Sequence, residues 1–333
     1  MKTTVLLTGA SGFLGAHLTR ELLARRYQVR VLVRHERSTS TLAGLPVEHF
    51  VGNVLDTQSL KKVVVGCDVI IHAAALAQVN PARSSVVWAV NHTGTENLIE
   101  AAQLANVQRF VYVGTANVFG FGTKQQPGNE TYPFVGKRYN SDYIDSKRAA
   151  TDRVQEAVQQ VGLPAIMVHP TFMLGEFDAK PTSGQMLLEL YRGRVLGYPA
   201  GGKNYVHVRD VAIATVNALT RGRLGESYIL GNVNMSYQEA FQLMALRMNV
   251  SPPRWSIPPS LAKLYGFGCD ALAKLTSHTG KLNSAMIAVA NDGHYFSSQK
   301  AIIELGLPQT PIEEAIDEAF DWFKRHKYIT ERA

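Results

Sequence analysis

Two different hydrophobic patterns divide the chain. Up to residue 170, short apolar, β-branched runs alternate with stretches of helical period. This alternation is typical of repeated βαβ units and a parallel sheet. It predicts strands at 5–7, 29–33, 47–51, 69–71, 110–113 and 165–168, and helices at 12–24, 58–64, 86–104 and 142–161.

After residue 170, Gly- and Pro-containing breaks separate helical segments near 184–192, 236–248, 259–276 and 311–326. Two β-like runs, 205–208 and 227–230, flank a helix that begins at Asp210, and we expect both runs to return to the main sheet. The predicted fold is α/β, a doubly wound parallel sheet (Rossmann) with a smaller, mainly helical C-terminal substrate lobe. The sheet domain takes residues 1–170 plus 206–231, and the lobe takes residues 171–205 plus 232–333.

Composition narrows the function classes. The 333 residues are 46% hydrophobic and 18% charged, which is ordinary for a chain that buries a large core. Cys67 and Cys269 lie far apart in the sequence and fit buried thiols in a reducing compartment. No apolar run reaches the ~18 residues that a membrane span needs. We therefore expect a cytoplasmic protein without a membrane partner.

The net charge of +7 is concentrated at the start of the chain, where residues 1–38 carry seven basic and two acidic side chains. No basic stripe interleaved with aromatic residues follows, so a nucleic-acid partner is not expected. The basic cluster is either a solvated face or the surroundings of an anionic ligand near residue 34.

A glycine-rich turn lies between the first strand and the first helix, with the sequence Thr-Gly-Ala-Ser-Gly-Phe-Leu-Gly at residues 8–15. Glycines let the backbone approach a pyrophosphate, which the helix N-terminus then binds through its free N–H groups. The spacing G-x-x-G-x-x-G alone is also compatible with a tight βα connection. Its position after a strand and before a helix favours dinucleotide binding.

The end of strand two indicates which dinucleotide. Arg34 is the first residue beyond the strand and Arg37 follows one turn later. An arginine here accommodates the 2′-phosphate of NADP, whereas an acid would hold the ribose of NAD. NADP is therefore the expected cofactor and NAD the less favoured one, with Glu36 as the residue that would hold the ribose. The small side chains of Ala73, Ala74 and Ala75 suit a strand end that an adenosine passes closely.

Tyr143 and Lys147 open a predicted helix with spacing i, i+4, so the phenol and the ammonium share one face. A tyrosine with a pKa of ~10 transfers protons poorly at neutral pH. A nearby cation favours the phenolate and lowers that pKa. The pair therefore predicts acid–base chemistry.

The motifs as a set resemble a known family. The glycine turn, His72-Ala-Ala-Ala75, Asn91-His-Thr-Gly-Thr95, Gly114-Thr-Ala-Asn-Val-Phe-Gly120, Tyr143…Lys147 and His169-Pro-Thr171 occur in the order of the extended short-chain dehydrogenase/reductases, dihydroflavonol 4-reductase-like. Gly114 and Phe119 depart from the usual serine and tyrosine. The resemblance covers essentially the whole chain.

The resemblance implies a role for each matching residue. Thr115 would hydrogen-bond the substrate oxygen, Tyr143 would transfer its proton, and Lys147 would hold the nicotinamide ribose and lower the pKa of Tyr143. Asn91 would support a proton-relay water. With the residues above, the expected cofactor contacts are Gly9, Ser11, Gly12, Phe13, Leu14, Gly15, Arg34, Asn53, Val54, Ala73, Ala74, Ala75, Tyr143, Lys147, Pro170 and Thr171. No metal is expected.

Two departures from sugar-nucleotide enzymes favour a different substrate. No arginine precedes Tyr205, and Ala116-Asn117 stands where dehydratases have an acid pair after the catalytic Thr. Phe119, Phe172, Met173 and Tyr205 are the expected substrate residues, suited to a small, largely apolar carbonyl compound. The sequence thus predicts NADP(H)-dependent reduction of a ketone or aldehyde. The alternatives are a nucleotide-sugar epimerase or dehydratase with tightly bound NAD, and a sensor that binds NADP without chemistry.

A homodimer is the expected assembly. Leu98, Ala101, Ala102 and Ala105 form an apolar stripe on the helix at 86–104. Such a stripe serves either a subunit interface or packing on the sheet.

Overall fold

A computed structural model describes residues 2–35, 40–276 and 282–329. Its strands are β1 Thr4–Thr8, β2 Gln28–Val33, β3 Glu48–Val51, β4 Val69–His72, β5 Arg109–Val113, β6 Ala165–Pro170, β7 Phe172–Leu174, β8 Gly197–Tyr198, β9 Gly202–His207, β10 Ser227–Leu230, β11 Val233–Ser236, β12 Trp255–Ser256 and β13 Gly293–His294. Its helices are α1 Phe13–Ala24, α2 Thr57–Val63, α3 Ser85–Trp88, α4 Gly94–Leu104, α5 Asp142–Val161, α6 Gln185–Tyr191, α7 Val208–Asn217, α8 Tyr237–Met248, α9 Pro259–Thr276, α10 Ser284–Asn291, α11 Gln299–Leu305 and α12 Ile312–Arg325.

The predicted main sheet is confirmed. Seven parallel strands pair in the order β10-β6-β5-β4-β1-β2-β3. Because alternate side chains point to opposite faces, Val5 and Leu7 enter one apolar core and Leu6 enters the other. Helices cover both faces, so the near-continuous hydrophobic strands of the sequence are buried on each side.

The predicted helix at 86–104 is made of three consecutive pieces. A π-helical turn, Ala89–Thr93, joins α3 to α4. Leu98, Ala101 and Ala102 lie in the core beneath the sheet, and Ala105 packs against it. The small-residue stripe therefore packs on the sheet, and it supplies no surface for the homodimer, which stays a prediction.

One predicted strand lies elsewhere. The run at 205–208 was expected in the main sheet, but β9 belongs to a second sheet with β7, β11 and β13. β7 begins only two residues after β6 ends and pairs with β9 from Phe172–Tyr205 to Leu174–His207. Of the two β-like runs, only β10 joins the main sheet, beside β6. Hydrophobic pattern identified both strands but not the partner of each.

The second sheet carries its own apolar core. Tyr205 of β9 is packed with side chains of α6, α8 and α12, including Leu188, Phe241 and Phe320. On the other side of β9, Asn204 accepts a hydrogen bond from the Thr171 hydroxyl (2.9 Å), just beyond the carboxyl end of β6, and ligands bind at this edge of the sheet in open α/β folds. No helix in the described ranges is both long enough and apolar enough to cross a membrane.

Candidate active site

The glycine turn has the geometry of a close backbone approach. Gly9 has φ +75°, and a Cβ there would lie 2.7 Å from the backbone of Ala73 and Ala74. A Cβ on Gly15 would lie 2.0 Å from the Gly9 carbonyl oxygen. The Ala16 N–H bonds to the Gly12 carbonyl, so the N–H groups of the preceding helical residues have no partner within α1. This cradle and its free donors fit a pyrophosphate.

The strand register brings the other expected cofactor residues to the same edge. Thr8 of β1 pairs with Leu32 of β2 and with His72 of β4. Consequently Arg34, which is exposed, and Ala73 flank the glycine turn. Arg37 and Glu36 lie outside the described residues.

Asn53 and Val54 follow β3 at this edge. The exposed Asn53 accepts a hydrogen bond from the Leu55 N–H through its side-chain oxygen (3.0 Å). Val54 is buried, and a Cβ on Gly94 would lie 2.7 Å from its methyl group. In this structure both side chains stabilise the turn and the α4 contact, and their predicted cofactor contacts stay predictions.

Three predicted catalytic side chains converge at the end of β5. Lys147 of α5 is buried and donates to the carbonyl of Val113, the last residue of β5 (2.7 Å). Two residues later, the Thr115 hydroxyl forms a hydrogen bond with the phenol of Tyr143, which partly offsets the rise in the Tyr143 pKa that burial causes. Strand and helix are thus joined at the place where the phenol, hydroxyl and ammonium meet.

The pKa of Tyr143 differs from the sequence expectation. Burial raises the pKa of Tyr143, only partly offset by Thr115. Burial also lowers the pKa of Lys147 to about 7, and its ammonium is directed to a carbonyl. Lys147 therefore does not lower the pKa of Tyr143 here, since a partly neutral amine engaged elsewhere exerts a weaker field.

Asn91 joins the loop after β4 to the catalytic helix. Its amide oxygen accepts from the Leu76 N–H (2.7 Å), and its amide nitrogen donates to the Leu76 carbonyl (3.2 Å) and the Ser146 hydroxyl (3.1 Å). Both ends of the side-chain amide are engaged in protein contacts. In this structure Asn91 positions α5, and its predicted support of a relay water stays a prediction.

His169 explains the unusual Gly114. A Cβ at Gly114 would lie 2.3 Å from the His169 ring nitrogen Nδ1. The buried ring contacts Ser227 through Nε2 (3.1 Å) and packs edge-on against Phe119 at 4.8 Å. A serine at 114 and this imidazole position exclude each other. Phe119 therefore packs on β6 and forms a small core with Ile229 and Phe296.

Of the four predicted substrate residues, one lines a cleft beside Thr115 and three lie outside its lining, so the predicted substrate contacts stay predictions. The cleft is lined by Thr115, Ala116, Asn117, Pro170, Thr171, Phe172, Lys203, Asn204, His294 and Phe296. Only Phe172 of the predicted set is among them. Phe119 packs as described above, Met173 packs against the main-sheet core, and Tyr205 is fully buried in the lobe. Alternate strand residues face opposite sides, so Phe172 and Met173 cannot both reach the cleft.

Lys203 and His294 are the cleft residues whose role sequence reasoning missed. They come from β9 and β13, which pair at His294–Lys203. Burial lowers the pKa of Lys203 to about 8, and its ammonium lies 5.3 Å from the centre of the Phe172 ring. Among the described residues, no carboxylate lies within ion-pair distance of Lys203. The position of Lys203 one residue before the Asn204 that anchors Thr171 was the only available signal.

Arg209, at the start of α7, is exposed and pairs with Glu318 of α12 (3.2 Å), outside the cleft lining. His72 is a buried core histidine, because Thr8 (2.8 Å) and Thr95 (3.0 Å) satisfy both ring nitrogens.

Comparison with known proteins agrees with this geometry. The profile of the NAD dependent epimerase/dehydratase family matches residues 5–231. The chain is 30% identical to a putative dihydroflavonol 4-reductase of Synechocystis sp. over 99% of its own length and 97% of the relative's. It is 33% identical to a 4-hydroxy-2-methyl-3-oxo-4-farnesyl-3,4-dihydroquinoline-1-oxide ketoreductase of Stigmatella aurantiaca, over 69% of the chain and 68% of the relative.

Among solved structures, that of gox2253 superimposes with a TM-score of 0.88 at 31% identity, covering 99% of this chain and all of the other. The seven-stranded sheet with its flanking helices is therefore a fold that this chain shares with other proteins. The chain belongs to the NAD dependent epimerase/dehydratase family, within the extended short-chain dehydrogenase/reductases, and its relatives include reductases of the dihydroflavonol 4-reductase type.

Proposed function

We propose that the protein is an NADP(H)-dependent oxidoreductase that reduces the ketone or aldehyde of a small, largely apolar substrate to an alcohol. The observation that supports this proposal is the meeting of Thr115, Tyr143 and Lys147 at the end of β5, beside the glycine cradle. The Stigmatella relative is named a ketoreductase, which is an activity of the same class.

When bound, the cofactor would supply hydride to the carbonyl carbon. The α1 N-terminus and glycine cradle would hold its pyrophosphate, and Arg34 would pair with a 2′-phosphate. Pro170, Thr171 and Lys147 would contact the nicotinamide end. The exposed Arg34 at this edge supports NADP over NAD.

The chain's own residues would handle the proton. The Thr115 hydroxyl would donate a hydrogen bond to the carbonyl oxygen and orient it towards Tyr143. Tyr143, whose raised pKa keeps the phenol protonated at neutral pH, donates its proton to the developing alkoxide. After turnover the Tyr143 phenolate would take a proton from the Lys147 ammonium, and the neutral amine, with a pKa of about 7, would take one from bulk water.

The cleft supports a reductase over a sugar-nucleotide enzyme. Ala116 and Asn117 line it where an acid pair would be needed for dehydration, and Arg209 is paired on the surface. A diphosphate would have Lys203 as its one charged partner in the described cleft lining. Two phosphate charges need more compensation than one partly neutral amine.

The test is a pair of measurements on the purified protein. We expect NADPH absorbance to fall with aryl or alkyl ketones, and calorimetry to show no binding of UDP or dTDP. Micromolar affinity for either nucleotide, with no NADPH consumption, would replace the reductase with the epimerase or dehydratase alternative. A substrate-independent titration of NADPH separates loss of cofactor binding from choice of the wrong ketone.

A further inference from the structure

α9 has an unusual distribution of side-chain sizes. Its inner side is formed by small residues spaced like one helix face, Ala262, Gly266, Cys269 and Ala273, and its large apolar residues point away. A Cβ on Gly266 would lie 3.0 Å from Ser284 and Ile287 of α10, so this small face is packed against α10. The opposite side of α9 faces away from α10 and is exposed.

That opposite side is apolar. Leu261, Leu264, Tyr265, Phe267 and Leu272, here called the outer face, are each between 59% and 70% exposed. Trp255, four residues before α9, is 75% exposed. Each of the other described helices carries at most one exposed large apolar residue, such as Leu246 on α8 and Ile303 on α11, which is normal for a protein surface. Five within twelve residues mark a binding surface.

The charges beside the outer face have one sign. Arg254 and Lys263 are exposed, and helical spacing places Lys263 at the edge of the outer face. The carboxylate of Asp270 is turned inwards, where it accepts from the Ser284 N–H that begins α10 (3.3 Å). An apolar helix face bordered by exposed basic residues, with its acid engaged inside the protein, matches an anionic bilayer surface.

α9 and α10 also lie next to the active-site cleft. Asn283, at the start of α10, donates to the Val79 carbonyl (2.8 Å) in the loop that follows β4. α10 ends at Asn291, three residues before His294, which lines the cleft. α9 is therefore connected to the cleft through α10, against which its inner side packs.

We propose that the outer face of α9, with Trp255, is a membrane-surface site that docks the protein on an anionic lipid bilayer. The helix lies in the interface plane, with the outer face among the acyl chains and Lys263 and Arg254 at the headgroups. The absence of a spanning segment in the sequence does not bear on this arrangement, because an interfacial helix needs one apolar face and not a continuous apolar run. This site is independent of the proposed reaction.

The experiment is co-sedimentation of the full chain with vesicles. We expect wild-type protein to sediment with phosphatidylcholine–phosphatidylglycerol vesicles, more weakly with phosphatidylcholine alone, and less as NaCl is added. The double variant Leu264→Ser/Phe267→Ser is expected to lose binding by roughly tenfold or more. The matched control, Leu246→Ser/Ile303→Ser, exchanges two equally exposed residues on other helices and is expected to bind like wild type.

Lys263→Glu tests the charge contribution and is expected to weaken binding to the anionic vesicles by about fivefold, without changing binding to phosphatidylcholine. Circular dichroism verifies that each variant is folded. Wild-type protein that stays in the supernatant, or equal binding by the α9 and control double variants, would overturn the proposal. So would a dimer that the α9 variant dissociates and that ignores vesicles, which would make the outer face a subunit interface.

Discussion

The catalytic edge and the substrate cleft lie side by side but are built differently. At the catalytic edge, Tyr143 and Lys147 are four residues apart on one helix, and Lys147 donates a hydrogen bond to Val113, at the end of the strand that leads to Thr115. In the cleft, Phe172, Lys203 and His294 come from three strands separated by long stretches of sequence. Local spacing therefore specifies the reaction chemistry, whereas long-range strand pairing specifies what the substrate meets.

The buried lysines of the two regions also differ in what their ammonium groups contact. Burial lowers the pKa of both Lys147 and Lys203. The ammonium of Lys147 donates a hydrogen bond to the Val113 carbonyl. The ammonium of Lys203 lies over the Phe172 ring. The catalytic amine is anchored, and the cleft amine is held by an aromatic contact that a substrate group can compete with.

The largest effect is expected for a substitution at the catalytic edge. Tyr143→Phe removes the proton donor and leaves the ring in place, so turnover is expected to fall by at least ~10² while NADPH still binds. NADPH oxidation and a fluorescence titration measure the two quantities. Tyr132→Phe, on the exposed loop before α5, is the control and should change neither. Near-normal turnover of Tyr143→Phe would remove it from the mechanism.

The next effect concerns the cofactor side of the same edge. Arg34→Asp replaces a charge-assisted contact with repulsion, and we expect the ratio of kcat/KM for NADPH over NADH to fall by roughly 10–100-fold. Lys61→Asp makes the same charge change on exposed α2 and should leave the ratio unaltered. If both variants behave alike, the basic cluster is a solvated face.

Gly114→Ala tests the contact between β5 and β6 that supports Thr115. The added Cβ would meet the His169 ring, and we expect the free energy of unfolding to fall by about 1–3 kcal/mol. Adding His169→Ala should return part of that loss, as a double-mutant cycle would show. The control Gly268→Ala meets no atom within 4 Å and should be neutral or stabilising. A Gly114→Ala protein as stable as wild type would contradict the clash.

The smallest expected effect belongs to the cleft and depends on pH. Burial lowers the pKa of Lys203 from 10.5 to about 8, so between these values the unfolded chain holds the proton that the folded chain has lost. Stability from this group therefore rises with pH across that window. Lys203→Met should be more stable than wild type below pH 8, with the difference shrinking towards pH 10, as urea unfolding at several pH values measures. An identical pH dependence in both proteins would show that Lys203 is solvated.

The sequence predicted the main sheet because parallel strands buried on both faces leave short apolar runs between amphipathic helices. Six of its seven strands and the helices that join them follow directly from that pattern, as does the glycine turn before α1. The same pattern did not separate β9 from β10. Both are short runs of similar composition. The sheet that each one joins depends on its partner strand, because β9 pairs with β7, which follows β6 in the chain, whereas β10 pairs with β6 itself.

The candidate site divides in the same way. Spacing along the chain determined the residues of the glycine cradle and the shared face of Tyr143 and Lys147, because a βα turn and one helical turn are local geometries. Tertiary structure alone decided that Lys203 and His294 line the cleft, that Tyr205 is buried in the lobe core, and that His169 occupies the space beside Gly114. Each of these depends on which strands pair and in what register, and a one-residue shift of register would turn every side chain to the opposite face.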